Sequence, residues 1–426
     1  MKVLMFGWEF PPHITGGLGT ACFGLVKGLA RHNVQMIFVV PRLFGEEDQT
    51  YSKMLSASDV EINERNFSYS SYIEHLQKIE INSTLLPYVY PEDFARMMSS
   101  ETEYIHGIEL PSTFKAKYQF SGKYGTTLYE EVSRYAMIAE VIARENPHDI
   151  IHSHDWLTYP AGIAAKKASG KPLVIHVHAT EFDRSGENVN QFVFDIEKKG
   201  MEEADRIITV SNLTRNIVIE RYGISPDKVF TVHNAVEPVE LKQIDQIRGF
   251  DEKLVTFLGR ITYQKGPEYF IEAAHKVLKR TENVRFVMAG SGDMLNKMIR
   301  RTAQLRIGDR FHFSGFLKGD DVLRVFSMSD VYVMPSVSEP FGISPLEAMR
   351  SNVPVIISKQ SGVSEILTHA IKVDFWDTDA LADAIHALIT YNGISDMFRK
   401  YVKTEVESLK WENAAYKVKE VYLSAL

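Results

Sequence analysis

At 426 residues the chain is too long for one ordinary hydrophobic core, so two domains are expected. The formal net charge of -7 argues against a general role at nucleic acids or membrane surfaces, and 45% hydrophobic with 24% charged residues is typical of a globular protein. The single cysteine, Cys22, excludes an internal disulfide and predicts a cytoplasmic protein. The sequence shows neither a signal peptide nor the apolar run of about 20 residues that a membrane span needs.

The first 237 residues predict a domain of alternating strands and helices. It opens with a βαβ unit, which implies a parallel sheet: a strand at 3–6, a glycine-rich loop, a helix at 20–31 and a strand at 35–40. Residues 42–125 are too many for a plain loop and are interpreted as an inserted region. The alternation then resumes with strands at 150–153, 173–177, 206–210 and 229–232 and helices at 128–145, 159–168, 193–203 and 213–221.

A second alternation follows a polar linker at 238–252 and predicts a domain at 253–408. Its predicted strands are 254–258, 284–289, 311–314, 331–334 and 355–358, and its predicted helices 268–280, 294–305, 320–327, 345–350 and 380–391. An amphipathic helix at 411–426 has no strand after it and is expected to pack back on the first domain. The predicted fold is therefore α/β, with two tandem doubly wound, Rossmann-like domains that bind ligand in the cleft at the carboxyl ends of their strands.

The segment 339–347, EPFGISPLE, places two carboxylates eight residues apart, between a predicted buried strand and a predicted helix. Glu339 lies on the loop and Glu347 in the helix, so the two side chains are placed to reach different hydroxyl groups of one ligand. Strand-loop-helix junctions of this kind are where open α/β sheets bind ligands.

Two cations follow a strand of the same domain, Arg260 and, five residues later, Lys265. Arginine binds phosphate oxygens as a planar fork and lysine as a point charge. The alternative interpretation is that both are ordinary surface charges. Two glycine-containing corners, Gly16-Gly17 and Gly290-Ser291-Gly292, allow backbone amides to approach a diphosphate, although glycines also serve simple tight turns.

Histidines cluster at the ends of two strands of the first domain, in the segments IHSHDW at 151–156 and HVHATE at 176–181. We expect one member of each pair to point into the core and His154 and His178, nearer the loops, to face the active site. No known zinc spacing is present, so no metal site is predicted.

Together these motifs resemble the retaining glycosyltransferases of the GT-B fold, in the family 4 (group 1) class, with features shared by glycogen and starch synthases. The motifs that carry the resemblance span most of the chain outside 42–125: TGGL at 15–18, HSHDW at 152–156, His178, Gly259-Arg260 with Lys265-Gly266, Gly290-Ser291-Gly292, and Glu339 through Glu347.

The resemblance implies a site for each part of a nucleotide-sugar donor and for an acceptor, without a metal or another cofactor. It implies diphosphate contacts for Arg260 and Lys265, sugar contacts for His178 and Glu339, and ribose contacts for Glu347. These roles make the catalytic residues His178, Arg260, Lys265 and Glu339; the donor-binding residues Gly16, Gly17, Gly290, Phe316, Phe341, Gly342, Ile343, Leu346 and Glu347; and the acceptor-binding residues Glu9, His154, Asp155 and Trp156.

The implied reaction is transfer of a hexose, glucose first, from ADP- or UDP-glucose to the non-reducing end of an α-1,4-glucan. Two departures from bacterial glycogen synthases weaken the case for ADP-glucose: Ile14 stands where they have lysine, and Phe341 with Glu347 stand where they have cysteine and no second glutamate. Seven aromatic residues of the inserted region either stack on glucan or form a small core: Tyr88, Tyr90, Tyr104, Phe114, Tyr118, Phe120 and Tyr124.

Three alternatives remain open from the sequence. One is a family 4 transferase that acts on another sugar or acceptor, as mannosyl or sucrose enzymes do. A nucleotide-sugar epimerase shares the fold, and a non-catalytic subunit would keep the fold while losing the phosphate and sugar contacts.

Overall fold

The computed structural model describes residues 1–13, 16–63, 115–125, 127–237 and 251–426. The predicted linker falls largely on 238–250, and Ile14, Thr15, Tyr88, Tyr90, Tyr104 and Phe114 also lie outside the described residues.

Two parallel sheets organise the chain. Their strands, with those of a separate small sheet, are β1 (Lys2–Phe6), β2 (Gln35–Val40), β3 (Lys53–Ser56), β4 (Glu61–Asn63), β5 (Lys115–Lys117), β6 (Ile150–His154), β7 (Leu173–Val177), β8 (Arg206–Thr209), β9 (Val229–Thr231), β10 (Lys253–Leu258), β11 (Val284–Ala289), β12 (Phe311–Gly315), β13 (Val331–Met334), β14 (Val355–Ser358) and β15 (Ile371–Val373).

The helices lie between these strands and after the last of them. In chain order they are α1 (Gly17–Arg31), α2 (Leu128–Glu145), α3 (Tyr159–Ser169), α4 (Glu181–Ser185), α5 (Gln191–Glu203), α6 (Asn212–Glu220), α7 (Pro267–Leu278), α8 (Leu295–Gln304), α9 (Asp320–Met328), α10 (Ser344–Arg350), α11 (Thr378–Thr390), α12 (Asn392–Ser408) and α13 (Trp411–Ala425).

The first sheet has the order β3-β2-β1-β6-β7-β8-β9 and the second the order β12-β11-β10-β13-β14-β15. All neighbouring pairs in both sheets are parallel, and β4 and β5 form a separate antiparallel pair. The central strands β6, β7 and β13 are buried along their whole length, because helices cover both faces of each sheet. Their residues are mostly apolar, apart from His152, Ser153 and His154 of β6 and His176 of β7. The predicted fold class, two doubly wound α/β units, is confirmed.

Sequence periodicity located most of these elements. The predicted strands at 35–40, 173–177, 284–289, 331–334 and 355–358 and the helix at 128–145 agree with the structure to the residue. Strand β3 joins the main sheet within the stretch 42–125 that the sequence interpretation treats as inserted. Strand β15 and helix α12 were not predicted, since a three-residue strand and a polar helix carry little periodic signal.

Helix α13 packs on the first domain, against α1. A Cβ built on Gly24 would lie 2.3 Å from the Trp411 ring, and one on Gly28 would lie 2.6 Å from the Trp411 carbonyl oxygen. These glycines therefore let the two helices approach closely. Near the end of α13 the Tyr422 hydroxyl hydrogen-bonds Nδ1 of His152 beneath the sheet.

The two domains meet through polar contacts on both sides of their cleft. Ser338 of the second domain donates to Asp183 of the first at 2.5 Å. The Glu365 carboxylate accepts from the amides of Asn212 and Leu213 at 2.9 and 2.8 Å, at the start of α6. No helix that the structure describes is long and apolar enough to cross a membrane.

Candidate active site

The loop after β10 carries Arg260 and Lys265 to the carboxyl edge of the second sheet. Gly266 then starts α7 in the left-handed region, at φ 65°, and a Cβ there would lie 2.1 Å from the Pro335 carbonyl oxygen. A side chain is excluded at this position both by the backbone conformation and by the neighbouring loop. Because β10 and β13 are adjacent, this close packing sets the loop after β10 against the loop after β13.

Lys265 and Glu339, 74 residues apart, form an ion pair as a result. The Glu339 side chain is 7% exposed and that of Lys265 20%, and the Ser336 hydroxyl donates to the same carboxylate at 3.2 Å. The backbone of Glu339 is fixed as well, since its amide donates to the Gln360 carbonyl and its own carbonyl accepts from Gly362. The structure thus brings together two of the predicted catalytic residues.

Arg260 lies on the same loop and donates to the side-chain oxygen of Gln264 at 3.1 Å. Its position depends on the glycine corner after β11, where a Cβ on Gly290 would lie 1.8 Å from the Gly259 carbonyl oxygen. Gly290 also adopts a φ of 141°, which a side chain disfavours. The predicted donor-binding Gly290 therefore supports the Arg260 loop directly.

Glu347 lies in the first turn of α10. Burial raises the pKa of this carboxyl above its usual value, and the nearby Arg350 guanidinium opposes that rise. Arg350 in turn donates to the Glu237 carbonyl at 2.7 Å, where the first domain ends. A carboxylate held in a desolvated position gains from hydroxyl donors supplied by a ligand.

The other predicted donor-binding residues of this domain differ in exposure. Phe341 and Leu346 are buried in its core, so only their backbone groups are available to a ligand. Gly342 between them has a φ of 97°, and Ile343 is half-buried beside it. Phe316, on the turn after β12, is 55% exposed, and its predicted contact with the donor stays a prediction.

The first domain contributes Gly16 and Gly17, both exposed at the start of α1. A Cβ on Gly17 would lie 3.9 Å from the Ile343 side chain, so the predicted donor-binding residues of the two domains face each other. Glu9 is buried and accepts from the Gly19 amide at 3.1 Å, within the first turn of α1. Its predicted contact with an acceptor stays a prediction.

Asp155 organises the loop that carries His178. Its backbone is left-handed, at φ 58°, and its carboxylate accepts from the amides of His178 and Ala179 at 2.6 and 3.3 Å. Burial raises the pKa of Asp155 to about 7, against the opposing effects of Arg184 and of these two amides. The His178 ring lies 2.9 Å, nitrogen to nitrogen, from that of His154, and burial lowers the pKa of His178 to about 3. His178 is therefore neutral at physiological pH.

The expectation that one histidine of each pair points inward and the other outward is wrong. Residues two apart on a strand share a face of the sheet, so His152, His154, His176 and His178 all lie on one face. Adjacent rings stack, with centroids 4.4 Å apart for His152 and His154 and 4.3 Å apart for His176 and His178. At the buried end of this group the Tyr422 ring meets His152 edge to face, and at the other end His178 is half-buried.

Those aromatic residues proposed to meet the acceptor that the structure describes lie in the core or pack against it. The Trp156 ring is 1% exposed, and its indole N–H has no hydrogen-bond partner among the described residues. Of the aromatic residues in the inserted stretch that the structure describes, Phe120 and Tyr124 are buried in the core of the first domain and Tyr118 packs against it. For these three the interpretation as core fits the structure. Acceptor contact by Trp156 stays a prediction.

Sequence reasoning missed a buried ionic network beside the His178 loop. Arg184 pairs with Glu181 at 3.1 Å and also with Glu197, and all three side chains are under 5% exposed. Asp183 closes a capping box with Thr180 and accepts the bond from Ser338 across the cleft. The Thr180-to-Asp183 and Glu181-to-Arg184 spacings are local signals of this corner in the sequence, whereas Glu197 and Ser338 are distant along the chain.

Comparison with known proteins agrees with this architecture. A solved structure of Anabaena Alr3699/HepE in complex with UDP and glucose superposes with a TM-score of 0.68 over all of both chains, at 15% sequence identity. The fold is thus that of a GT-B glycosyltransferase.

Sequence comparisons then give the family. The family described as "Glycosyl transferases group 1" matches residues 242–405, and "Glycosyltransferase Family 4" matches residues 111–240. The alpha-maltose-1-phosphate synthase of Mycolicibacterium smegmatis is 30% identical over 311 residues, 64% of this chain and 78% of that protein. An uncharacterized glycosyltransferase of Methanocaldococcus jannaschii is 29% identical over 447 residues, 100% of this chain and 99% of that one. The chain belongs to the group 1 glycosyltransferases and is a glycosyltransferase enzyme.

Proposed function

We propose that this glycosyltransferase moves glucose, with retention of configuration, from ADP- or UDP-glucose to the non-reducing end of an α-1,4-glucan. The observation that carries the proposal is the grouping of Arg260, the Lys265–Glu339 pair and Glu347 at one sheet edge, with Gly17 opposite Ile343. Cations for a diphosphate and carboxylates for hydroxyl groups are what a nucleotide sugar requires.

In this proposal the donor diphosphate lies against Arg260 and Lys265. Breaking the bond between sugar and phosphate builds negative charge on the diphosphate and positive charge on the sugar. Preorganised cations at the leaving oxygen stabilise that charge separation without the reorganisation that water would need. The Glu339 carboxylate, held by Lys265 and Ser336, accepts from a hydroxyl of the donor sugar.

On the other side of the cleft, His178 donates to or accepts from the sugar near its reacting carbon. Its neutral ring, held by His154, adds no charge that would oppose the developing positive charge of the sugar. Closing the two domains around the donor excludes water and so favours transfer over hydrolysis. The leaving phosphate is expected to assist the incoming hydroxyl on the same face, which gives retention.

An α-glucan acceptor is supported by the HSHDW motif, similar to that of glycogen and starch synthases, and by the relative named for α-maltose 1-phosphate, an α-linked diglucose. The decisive experiment offers ADP-, UDP- and GDP-linked sugars and measures nucleotide release, with and without glycogen, maltooligosaccharides or glucose 1-phosphate. Release from a glucose donor that rises with glycogen or maltooligosaccharide supports the proposal. Acceleration only by another acceptor, or epimer formation from donor alone, contradicts it.

The first product should keep the α configuration of the donor. The expectation follows from a leaving group and an acceptor that share one face of the sugar. Proton NMR of the initial product, recorded before anomers of free sugar equilibrate, should show the small coupling of an α anomer. A β product would rule retention out.

Transfer is expected to survive a chelator, because Arg260 and Lys265 are placed to supply the positive charge that a metal supplies elsewhere. Activity measured after exhaustive EDTA treatment should equal that of untreated enzyme. Loss of activity that Mg²⁺ or Mn²⁺ restores would show that Arg260 and Lys265 do not stabilise the leaving diphosphate without a metal ion.

A further inference from the structure

A thiol and imidazoles converge at the inner end of the cleft. Donor atoms of Cys22, His154 and His178 all lie within 4.8 Å of one another. These residues come from three different elements, α1, β6 and the loop after β7, so their spacing in the sequence does not predict that the three side chains lie together. Thiolate sulfur and imidazole nitrogen are the ligands that zinc prefers in proteins.

The surroundings of these side chains favour the binding of a cation. Nε2 of His154 is buried and has no hydrogen-bond partner among the described residues, which leaves a lone polar atom in the core. The carboxylates of Glu9 and Asp155 lie close enough to Cys22 to act on its thiol electrostatically, and negative charge there favours a divalent cation.

His178 connects the three residues to the cleft. Cys22 and His154 are buried, whereas His178 is half-buried at the cleft. An ion arriving from the cleft meets His178 first and reaches the other two ligands behind it. Zinc ligation, with Zn–S about 2.3 Å and Zn–N about 2.0 Å, requires the three side chains to rearrange around one point. The hydrogen bond of 2.9 Å between the His154 and His178 rings must open for the ion to enter between them.

We propose that Cys22, His154 and His178 form a binding site for Zn²⁺, and that occupation of this site blocks sugar transfer. Binding replaces the thiol proton of Cys22 by the metal and releases that proton to solvent, so charge balances without a redox step. The block follows because a ligated His178 no longer meets the donor sugar, a consequence that rests on the proposed function. Zinc is here an inhibitor, which is compatible with catalysis that survives EDTA.

The test titrates metal-free protein with ZnCl₂ by calorimetry and by competition with a chromophoric zinc indicator. The wild type should bind one equivalent, and Cys22→Ala should weaken that binding by more than about tenfold, since losing an outer-shell partner alone costs that much. Cys22→Ser serves as a second variant if the alanine protein is unstable, and His312→Ala, an exposed histidine, as the matched control that should bind normally. Co²⁺ in place of Zn²⁺ should give a thiolate-to-metal charge-transfer band that both Cys22 variants lack.

Activity is the second readout. Without zinc the Cys22 variants should transfer sugar normally; with zinc only the wild type and His312→Ala should be inhibited, and EDTA should reverse the inhibition. Unchanged zinc affinity in Cys22→Ala would assign binding to the other histidine triad, His152, His154 and His176, and overturn the proposal. So would the absence of a thiolate band, the absence of saturable binding, or inhibition that persists in Cys22→Ala. If the wild type shows no transfer at all, the binding and cobalt measurements still decide the zinc site.

Discussion

Arg260→Ala and Lys265→Ala should each lower kcat by on the order of 10²–10³ while changing the KM for donor far less. The reason is that the negative charge they meet grows as the diphosphate leaves, so each contributes more in the transition state than in the ground state. Both serve the same oxygens, so the double variant should lose less than the product of the two single losses. Arg260→Lys should also be impaired, because the planar fork is lost.

The Lys265 variant needs a control that the structure specifies. Removing Lys265 leaves the buried Glu339 carboxylate without its ion-pair partner, and an unpaired buried charge by itself destabilises a protein. Thermal melts therefore accompany the kinetics, and Lys318→Ala, an exposed lysine on the neighbouring loop, should behave as wild type. A near-normal kcat at saturating donor in a folded Arg260→Ala or Lys265→Ala protein would show that the substituted side chain is an ordinary surface charge without a catalytic role.

Glu347→Ala should weaken donor binding at least about tenfold, because hydrogen bonds to a charged group contribute roughly 1.5–3 kcal/mol each. Titration calorimetry with the donor or its nucleoside diphosphate measures the loss directly. Glu347→Gln, which keeps the shape and one acceptor oxygen, should lie between the alanine variant and the wild type. Glu407→Ala, on the exposed side of α12, should bind donor normally.

Glu347→Ala should leave the fold intact. The folded-state pKa of Glu347 is raised by burial, so this carboxyl contributes a penalty to stability that appears as pH rises through its unfolded value. At pH 7 the thermal midpoint of Glu347→Ala should therefore equal or exceed that of the wild type. A lower midpoint together with weaker binding would point to a structural role, and unchanged donor affinity would remove Glu347 from the ribose site.

The periodicity of the sequence predicted the architecture because most strands are short apolar runs and most helices are amphipathic. Both patterns can be recognised in the sequence alone. It failed where that signal is short or polar, at β15 and α12. Motif spacing likewise identified the loops that carry Arg260, Lys265, Glu339 and Glu347, because loops at strand ends fall at one edge of a parallel sheet.

By itself the sequence determined the two parallel α/β domains, the glycosyltransferase class and the loops of the proposed donor site. Only the tertiary structure decided which of those residues touch. It paired Lys265 with Glu339 and stacked four histidines that the sequence interpretation had separated. The structure also shows that Trp156, which the sequence interpretation assigned to the acceptor site, is buried in the core. It places Cys22 close to His154 and His178. The physical reason is that these contacts join residues far apart in the chain, whose distance is set by sheet order and packing rather than by local spacing.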